Sequence, residues 1–174
     1  SEAGRCIPLS PYGADKLSCE LHARSAYEVY GIASLGLRFF NVYGPGQDPS
    51  SPYSGVIAKF AERLERGENI TIHGDGRQTR DFVHVDDVVE AVLHALGRWD
   101  TGARIVNVCS GVETSISDLA RIMIEETGSR SDITYIDGLL GEVRRSRGCV
   151  EALKVKLDYR CATDLRTGLA RLLQ

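Results

Sequence analysis

The chain has 174 residues, a mass of 19.0 kDa, and 43% hydrophobic against 26% charged residues. That is enough apolar chain for one core of ordinary size, and it excludes a disordered or collagen-like polypeptide. A formal charge of −3 argues against a dedicated nucleic-acid binder, and no apolar run approaches the ~20 residues of a membrane-spanning helix.

In chain order, Ser10 reads as an N-cap and Pro11 as the first residue of a helix that Gly31 stops after Tyr30. Ile32 to Phe40 is apolar and reads as a buried strand. Asn41 to Ser54 carries three prolines and three serines and reads as a long loop. Gly55 to Arg66 reads as a second helix, Asn69 to His73 as a strand, Gly74 to Gly76 as a tight turn, and Arg80 to Val85 as an extended piece. Asp86 is expected to cap a helix through Leu96, whose Val88, Val89, Val92, Leu93 and Leu96 recur at helical spacing. Ile105 to Cys109 reads as a buried strand. A helix capped by Ser115 or Ser117 ends at Thr127, where Gly128 supplies the left-handed stop. Ile133 to Ile136 reads as a strand, and two amphipathic helices, Cys149 to Leu157 and Thr163 to Leu173, close the chain. Strands and helices alternate throughout, the signature of an α/β fold.

The five cysteines, Cys6, Cys19, Cys109, Cys149 and Cys161, are widely spaced with no CxxC pair, so no metal knuckle is expected. Ser1 to Ser10 lacks the apolar stretch of a secretory leader. We therefore expect a reduced, cytoplasmic protein with no membrane partner. Eight basic residues stand against five acidic ones from Asp137 to Gln174, a surplus that could meet an anionic ligand but on composition alone reads as solvated helix surface.

The sharpest short feature is Tyr12 four residues before Lys16. On a helix these side chains share a face, and a nearby ammonium favours phenolate over phenol. Tyr12 is therefore a candidate general acid or base. By itself the pair is weak: 7 Tyr among 174 residues with four Lys give a chance match in roughly one chain in six.

The pair does not stand alone. Ser10-Pro-Tyr-Gly-Ala-Asp-Lys16 is followed by Leu37-Arg-Phe-Phe-Asn-Val-Tyr-Gly-Pro-Gly46, and then by Gly74-Asp-Gly-Arg-Gln-Thr-Arg-Asp-Phe-Val-His-Val-Asp-Asp87. In order, spacing and identity these blocks resemble the extended short-chain dehydrogenase/reductase family, and within it the NAD-dependent sugar-nucleotide epimerases and dehydratases of the UDP-glucose 4-epimerase type.

The resemblance implies the C-terminal part of a doubly wound Rossmann-type sheet plus a small mixed α/β substrate-binding lobe. Late Rossmann elements would fill 1–45 and 82–110, and the lobe 46–81 and 111–174. The family's glycine-rich NAD-binding turn has no counterpart here, nor does the stretch that carries its catalytic Ser or Thr, so the chain reads as the C-terminal half of such an enzyme. The implied activity is that of a sugar-nucleotide 4-epimerase using NAD, inactive as this piece alone. The alternatives are a 4,6-dehydratase or a non-catalytic nucleotide-sugar-binding module. The implied partners are a UDP- or other nucleoside-diphosphate sugar and, in the intact parent, a second copy in a homodimer.

The resemblance also assigns roles. Tyr12 matches the base that takes the proton of the sugar 4-hydroxyl, and Lys16 the lysine that holds the nicotinamide ribose. Phe39 and Asn41 match positions lining the nicotinamide and the sugar diphosphate, although Phe39 reads almost as well as core packing. Gly55 and Val56 match the helix start beneath the nucleotide. Thr71 to His73 match the strand whose backbone reads the base, with His73 where an aromatic covers it. Arg80 matches the arginine that grips the diphosphate; its bland reading is a salt bridge with Asp81 or Glu65. Asp86 and Asp87 read as helix N-terminal acids rather than metal ligands. Glu142 matches the acid that binds the ribose hydroxyls. Two departures stand out. Leu139 occupies the family's second phosphate-binding arginine, so that contact is lost or passes to Arg144 or Arg145. Cys109 occupies a glycine position.

Overall fold

A computed structural model describes residues 1–51, 54–99, 101–138, 141 and 143–174. Helix α1 runs Pro11–Tyr30, as its end signals require. The Ser10 hydroxyl accepts from the Gly13 N–H, and Gly31 adopts φ 70° and donates its N–H to the Tyr27 carbonyl. Strand β1, Ser34–Phe39, pairs in parallel with β6, Ala103–Val108. The helix lies against both strands.

The chain then changes partner without leaving the extended conformation. Phe40 N–H donates to the Val108 carbonyl and Asn41 N–H to the Asp81 carbonyl. Asn41–Tyr43 forms β2, parallel to β5, Phe82–His84. The expected loop therefore begins later than Asn41, because Val42 and Tyr43 find a strand partner and a core before the prolines break the ladder.

Helix α2, Val56–Glu65, buries Ile57, Ala58, Phe60 and Leu64. Strand β3, Ile70–His73, pairs in parallel with β8, Ile133–Ile136. The short strand β4, Thr79–Arg80, pairs antiparallel with β7, Thr114–Ser115. Helix α3, Val85–Ala95, is capped by His84, whose Nδ1 accepts from the Asp86 N–H at 3.2 Å. Asp86 is thus not the cap: it and Asp87 occupy the first turn, where their charge meets the positive end of the helix dipole. Helix α4, Ile116–Thr127, takes Ser115 as cap and Gly128 as left-handed stop. Helices α5, Glu151–Leu157, and α6, Leu165–Leu172, complete the chain.

Two apolar clusters organise these elements. One joins α2, β3, α4 and α6 through Phe60, Ile70, Ile72, Leu119, Met123 and Leu169. The other joins β5, α3, β6 and α5 through Val83, Val88, Ala91, Val106, Val108, Leu153 and Leu157. Residues Tyr43 and Val83 place the β2–β5 ladder against both. Among the described residues no helix is long and apolar enough to cross a membrane.

Candidate active site and nucleotide cavity

Tyr12, Lys16, Phe39, Asn41, Val56, Thr71, His73 and Arg80, singled out from the sequence, gather in two cavities. The first, about 670 Å³, opens between α1 and β1 and is lined by Tyr12, Lys16 and Phe39 together with Cys6, Cys19, Glu20 and Arg38. The spacing of α1 does the assembling, since Tyr12, Lys16, Cys19 and Glu20 recur at three and four residues on one helical face. Lys16 Nζ stands 5.4 Å from the centre of the Tyr12 ring. Tyr12 is 60% exposed and Phe39 48%. Behind them Arg38 reaches across from β1 and grips Glu20 through Nε and Nη2, both at 2.6 Å.

The second cavity, about 450 Å³, holds Asn41, Val56, Thr71, His73 and Arg80. Lys59, Arg63 and Gln78 also line it, and among the described residues no Asp or Glu does. Lys59, Arg63 and Arg80 thus give its described lining a positive charge. Lys59 and Arg63 lie one turn apart on α2, on the face that starts at Val56. Arg63 is braced by the Asn69 carbonyl at 3.1 Å and the Thr71 hydroxyl at 3.2 Å. Arg80 Nη1 donates to the carbonyls of Thr79, 2.8 Å, and Val143, 2.6 Å. The bland alternative for Arg80, a salt bridge with Asp81, does not form: Asp81 is fully buried and accepts instead from Ser110, Gly111 and Gly148.

Strand β3 brings its own chemistry. Ile70 and Gly74 donate their N–H groups to Asp132 and Ile136 on the β8 side. Strand alternation therefore turns the N–H and C=O of Thr71 and His73 to the opposite edge, toward the cavity these residues line. The His73 carbonyl is taken by Gln78 Nε2 at 2.7 Å. What remains along that edge is a row of N–H, C=O and N–H from Thr71 and His73. The His73 ring lies at the end of it, with Nδ1 3.3 Å from the Asp137 carbonyl.

Arg144 and Arg145 do not stand ready to replace a lost phosphate contact. Arg144 grips Asp75 with two bonds of 2.8 and 2.7 Å, and Arg145 grips Glu113 with two of 2.9 and 2.8 Å. The Arg144 bonds hold the Asp75 carboxyl well below its usual range. Arg145, aided by the Thr79 hydroxyl, holds Glu113 down to about 2. Glu142 and Leu139 lie outside the described residues. Cys109 follows β6 fully buried, and burial pushes its thiol up to about 12; a side chain on Gly148 would overlap its sulfur. Asp87, also buried, accepts from the Tyr159 hydroxyl and from the N–H groups of Ala162 and Thr163, which fixes it as a structural anchor.

Lys59, Arg63 and Gln78 were not anticipated from sequence. The signal was present for the first two: Val56, Lys59 and Arg63 recur at three and four residues, so a nucleotide beneath the helix start would also meet both cations. Gln78 gave no such signal, because its place depends on the β3–β4 turn.

A family model, "NAD dependent epimerase/dehydratase family", matches residues 1–109. A putative UDP-glucose 4-epimerase of Methanocaldococcus jannaschii is 39% identical over 164 residues, 94% of this chain and 52% of that protein. The solved UDP-N-acetylglucosamine 4-epimerase of Methanobrevibacter ruminantium, in complex with UDP-N-acetylmuramic acid, superposes with a TM-score of 0.93 at 34% identity, over 99% of this chain and 55% of that one. The UDP-glucuronic acid 4-epimerase of Bacillus cereus, in complex with UDP-glucuronic acid and NAD, gives a TM-score of 0.88 at 29% identity, over 97% and 53%. The chain thus spans about half the length of the relatives it matches. The parallel α/β architecture is that of Rossmann-type epimerases, as the three sequence blocks implied, and the chain belongs to the NAD-dependent epimerase/dehydratase family.

Proposed function

We propose that this chain carries the nucleotide-sugar cavity and the Tyr12–Lys16 pair of a sugar-nucleotide 4-epimerase. The observation that carries the reading is the second cavity. Asn41, Val56, Thr71, His73 and Arg80 come from four separate elements and meet in one space that holds three cations and, among the described residues, no acid. A diphosphate meets these cations, and the guanidinium fork of Arg80 suits its paired oxygens. The free edge of β3 complements the C=O, N–H, C=O edge of uracil or thymine, whereas cytosine presents an acceptor and an amine where uracil presents N–H and C=O. A 4-epimerase is preferred to a 4,6-dehydratase because the relative and the two solved structures described above carry the former name.

On this reading the sugar points from the second cavity toward the first, past Asn41 and Phe39. Residues 1–45 and 82–110 form the cofactor side, and 46–81 with 111–174 the sugar-nucleotide lobe. The first cavity fits the nicotinamide end of NAD: the exposed side chains of Tyr12 and Phe39 line it, with the ammonium of Lys16 beside the Tyr12 ring. NAD supplies a hydride acceptor and donor at sugar C4. Tyr12 takes the 4-hydroxyl proton as C4 is oxidised and returns it when C4 is reduced on the other face. Lys16 holds a ribose and places positive charge beside the phenol ring. Glu142 is assigned to the nucleotide ribose hydroxyls. Helix α1, which buries none of its residues and exposes Leu21, Val29 and Tyr30, is the face proposed for a homodimer contact.

The test is calorimetric titration of UDP, CDP and ADP into the chain. The reading expects UDP to bind and CDP and ADP to bind at least about tenfold more weakly, since each leaves edge groups of β3 unpaired. Equal binding of all three, or none by UDP, refutes it.

A further inference from the structure

Asp81 is fully buried, yet among the described residues none of its hydrogen-bond partners is a charged side chain. One carboxylate oxygen accepts from the Ser110 N–H at 2.8 Å and the Ser110 hydroxyl at 2.7 Å; the other accepts from the N–H groups of Gly111 and Gly148, both at 3.0 Å. A carboxylate taken out of water needs such a set of donors, and bonds to a charged acceptor are the strong ones. The donors belong to two segments far apart in sequence, the turn after β6 and the end of the segment 143–148. Asp81 itself sits between β4 and β5, and its carbonyl accepts from the Asn41 N–H at 3.0 Å.

The segment 143–148 is held at its other end too. Thr79 N–H donates to the Arg144 carbonyl and Ser146 N–H to the Thr79 carbonyl, at 3.0 and 3.2 Å. Arg80 donates to the Val143 carbonyl. Neighbouring residues of an extended chain send their side chains to opposite sides. Fixing the Asp81 carboxylate in the interior therefore fixes the direction in which Arg80 leaves the backbone, toward the second cavity.

We propose that Asp81 is a positioning residue for anion capture: its buried carboxylate clasps the 109–111 turn and the 143–148 segment so that Arg80 is aimed at a nucleotide diphosphate. The inference rests on the reading of the second cavity as the nucleotide site. In an Asp81→Asn variant the amide can still accept from one donor pair, but its NH2 meets the other pair donor to donor. The clasp is then lost on one side.

The measurement is titration of UDP and of uridine, by calorimetry and NMR, into the wild-type chain, Asp81→Asn and the milder Ser110→Ala. Thermal unfolding is followed in parallel. The β3 edge reads uridine without Arg80, so the clasp acts on the diphosphate alone. Asp81→Asn is expected to weaken UDP by about tenfold while uridine changes by less than about twofold. Ser110→Ala, which removes a single donor, shifts UDP in the same direction by less. If Asp81→Asn does not fold, Ser110→Ala decides. UDP binding at wild-type strength in the folded variant, or equal losses of UDP and uridine, overturns the proposal. A wild-type chain that binds no UDP refutes the nucleotide reading itself, and the inference falls with it.

Discussion

Arg80→Ala is the sharpest perturbation of the nucleotide cavity. The guanidinium is already held in place by the carbonyls of Thr79 and Val143, so little side-chain freedom remains to be lost when an anion arrives. The full value of a charge-assisted hydrogen bond, about 1.5–3 kcal/mol, should then appear in affinity. Its loss corresponds to roughly 10- to 150-fold weaker UDP binding. Lys59 and Arg63 line the same cavity and will hold part of the charge, which places the expectation nearer the lower end. Arg80→Lys keeps the charge but not the fork and should fall between. The assay is calorimetric titration of UDP at two salt concentrations, and the salt dependence should shrink in Arg80→Ala as one phosphate contact disappears. UDP affinity within about twofold of wild type would show that Arg80 does not face the diphosphate.

In an active enzyme containing this chain, Tyr12→Phe should lower kcat by about 10²–10⁴-fold with little change in substrate affinity, and near-normal turnover would reject the acid–base role. The chain by itself, which contains no glycine-rich phosphate turn, is expected to bind NAD no tighter than millimolar; micromolar affinity by calorimetry would contradict this. Glu113 is held down to about 2 by Arg145 and the Thr79 hydroxyl, from an ordinary 4.5. A depressed carboxyl stabilises the fold above its unfolded value and loses that contribution as pH falls toward the folded one. The unfolding temperature of the wild type should therefore fall more steeply than that of Glu113→Gln between pH 4.5 and 2; parallel curves would show that the pair contributes nothing.

Much of this arrangement could be read from local chemistry. Ser10, Pro11 and Gly31 determine both ends of α1, and the four-residue spacing places Tyr12 and Lys16 on one face before any tertiary contact is known. Ser115 and Gly128 do the same for α4. The sequence was silent where a role is set by a distant partner. Asn41–Tyr43 looked like loop because its neighbours are prolines and serines, yet a ladder with Phe82–His84 makes it a strand. His84 caps α3, a task that Asp86 was expected to perform, because its buried imidazole is held at the end of β5. Sequence alone leaves Arg144 and Arg145 as candidate phosphate ligands, because the carboxylates that engage them lie 69 and 32 residues away. Asp81 gave no sign of its clasp, since its donors lie 29 to 67 residues downstream.

The central claim is that one cavity of this chain receives a pyrimidine nucleoside diphosphate sugar with the hexose directed at Tyr12. A crystal structure of the chain soaked with UDP-glucose tests it directly. The account predicts the uracil edge on the backbone of Thr71 and His73, the diphosphate within hydrogen-bonding distance of Arg80, and the glucose extending past Asn41 toward the Tyr12 hydroxyl. A nucleotide bound elsewhere, or seated in the cavity with its phosphates turned away from Arg80, would contradict it.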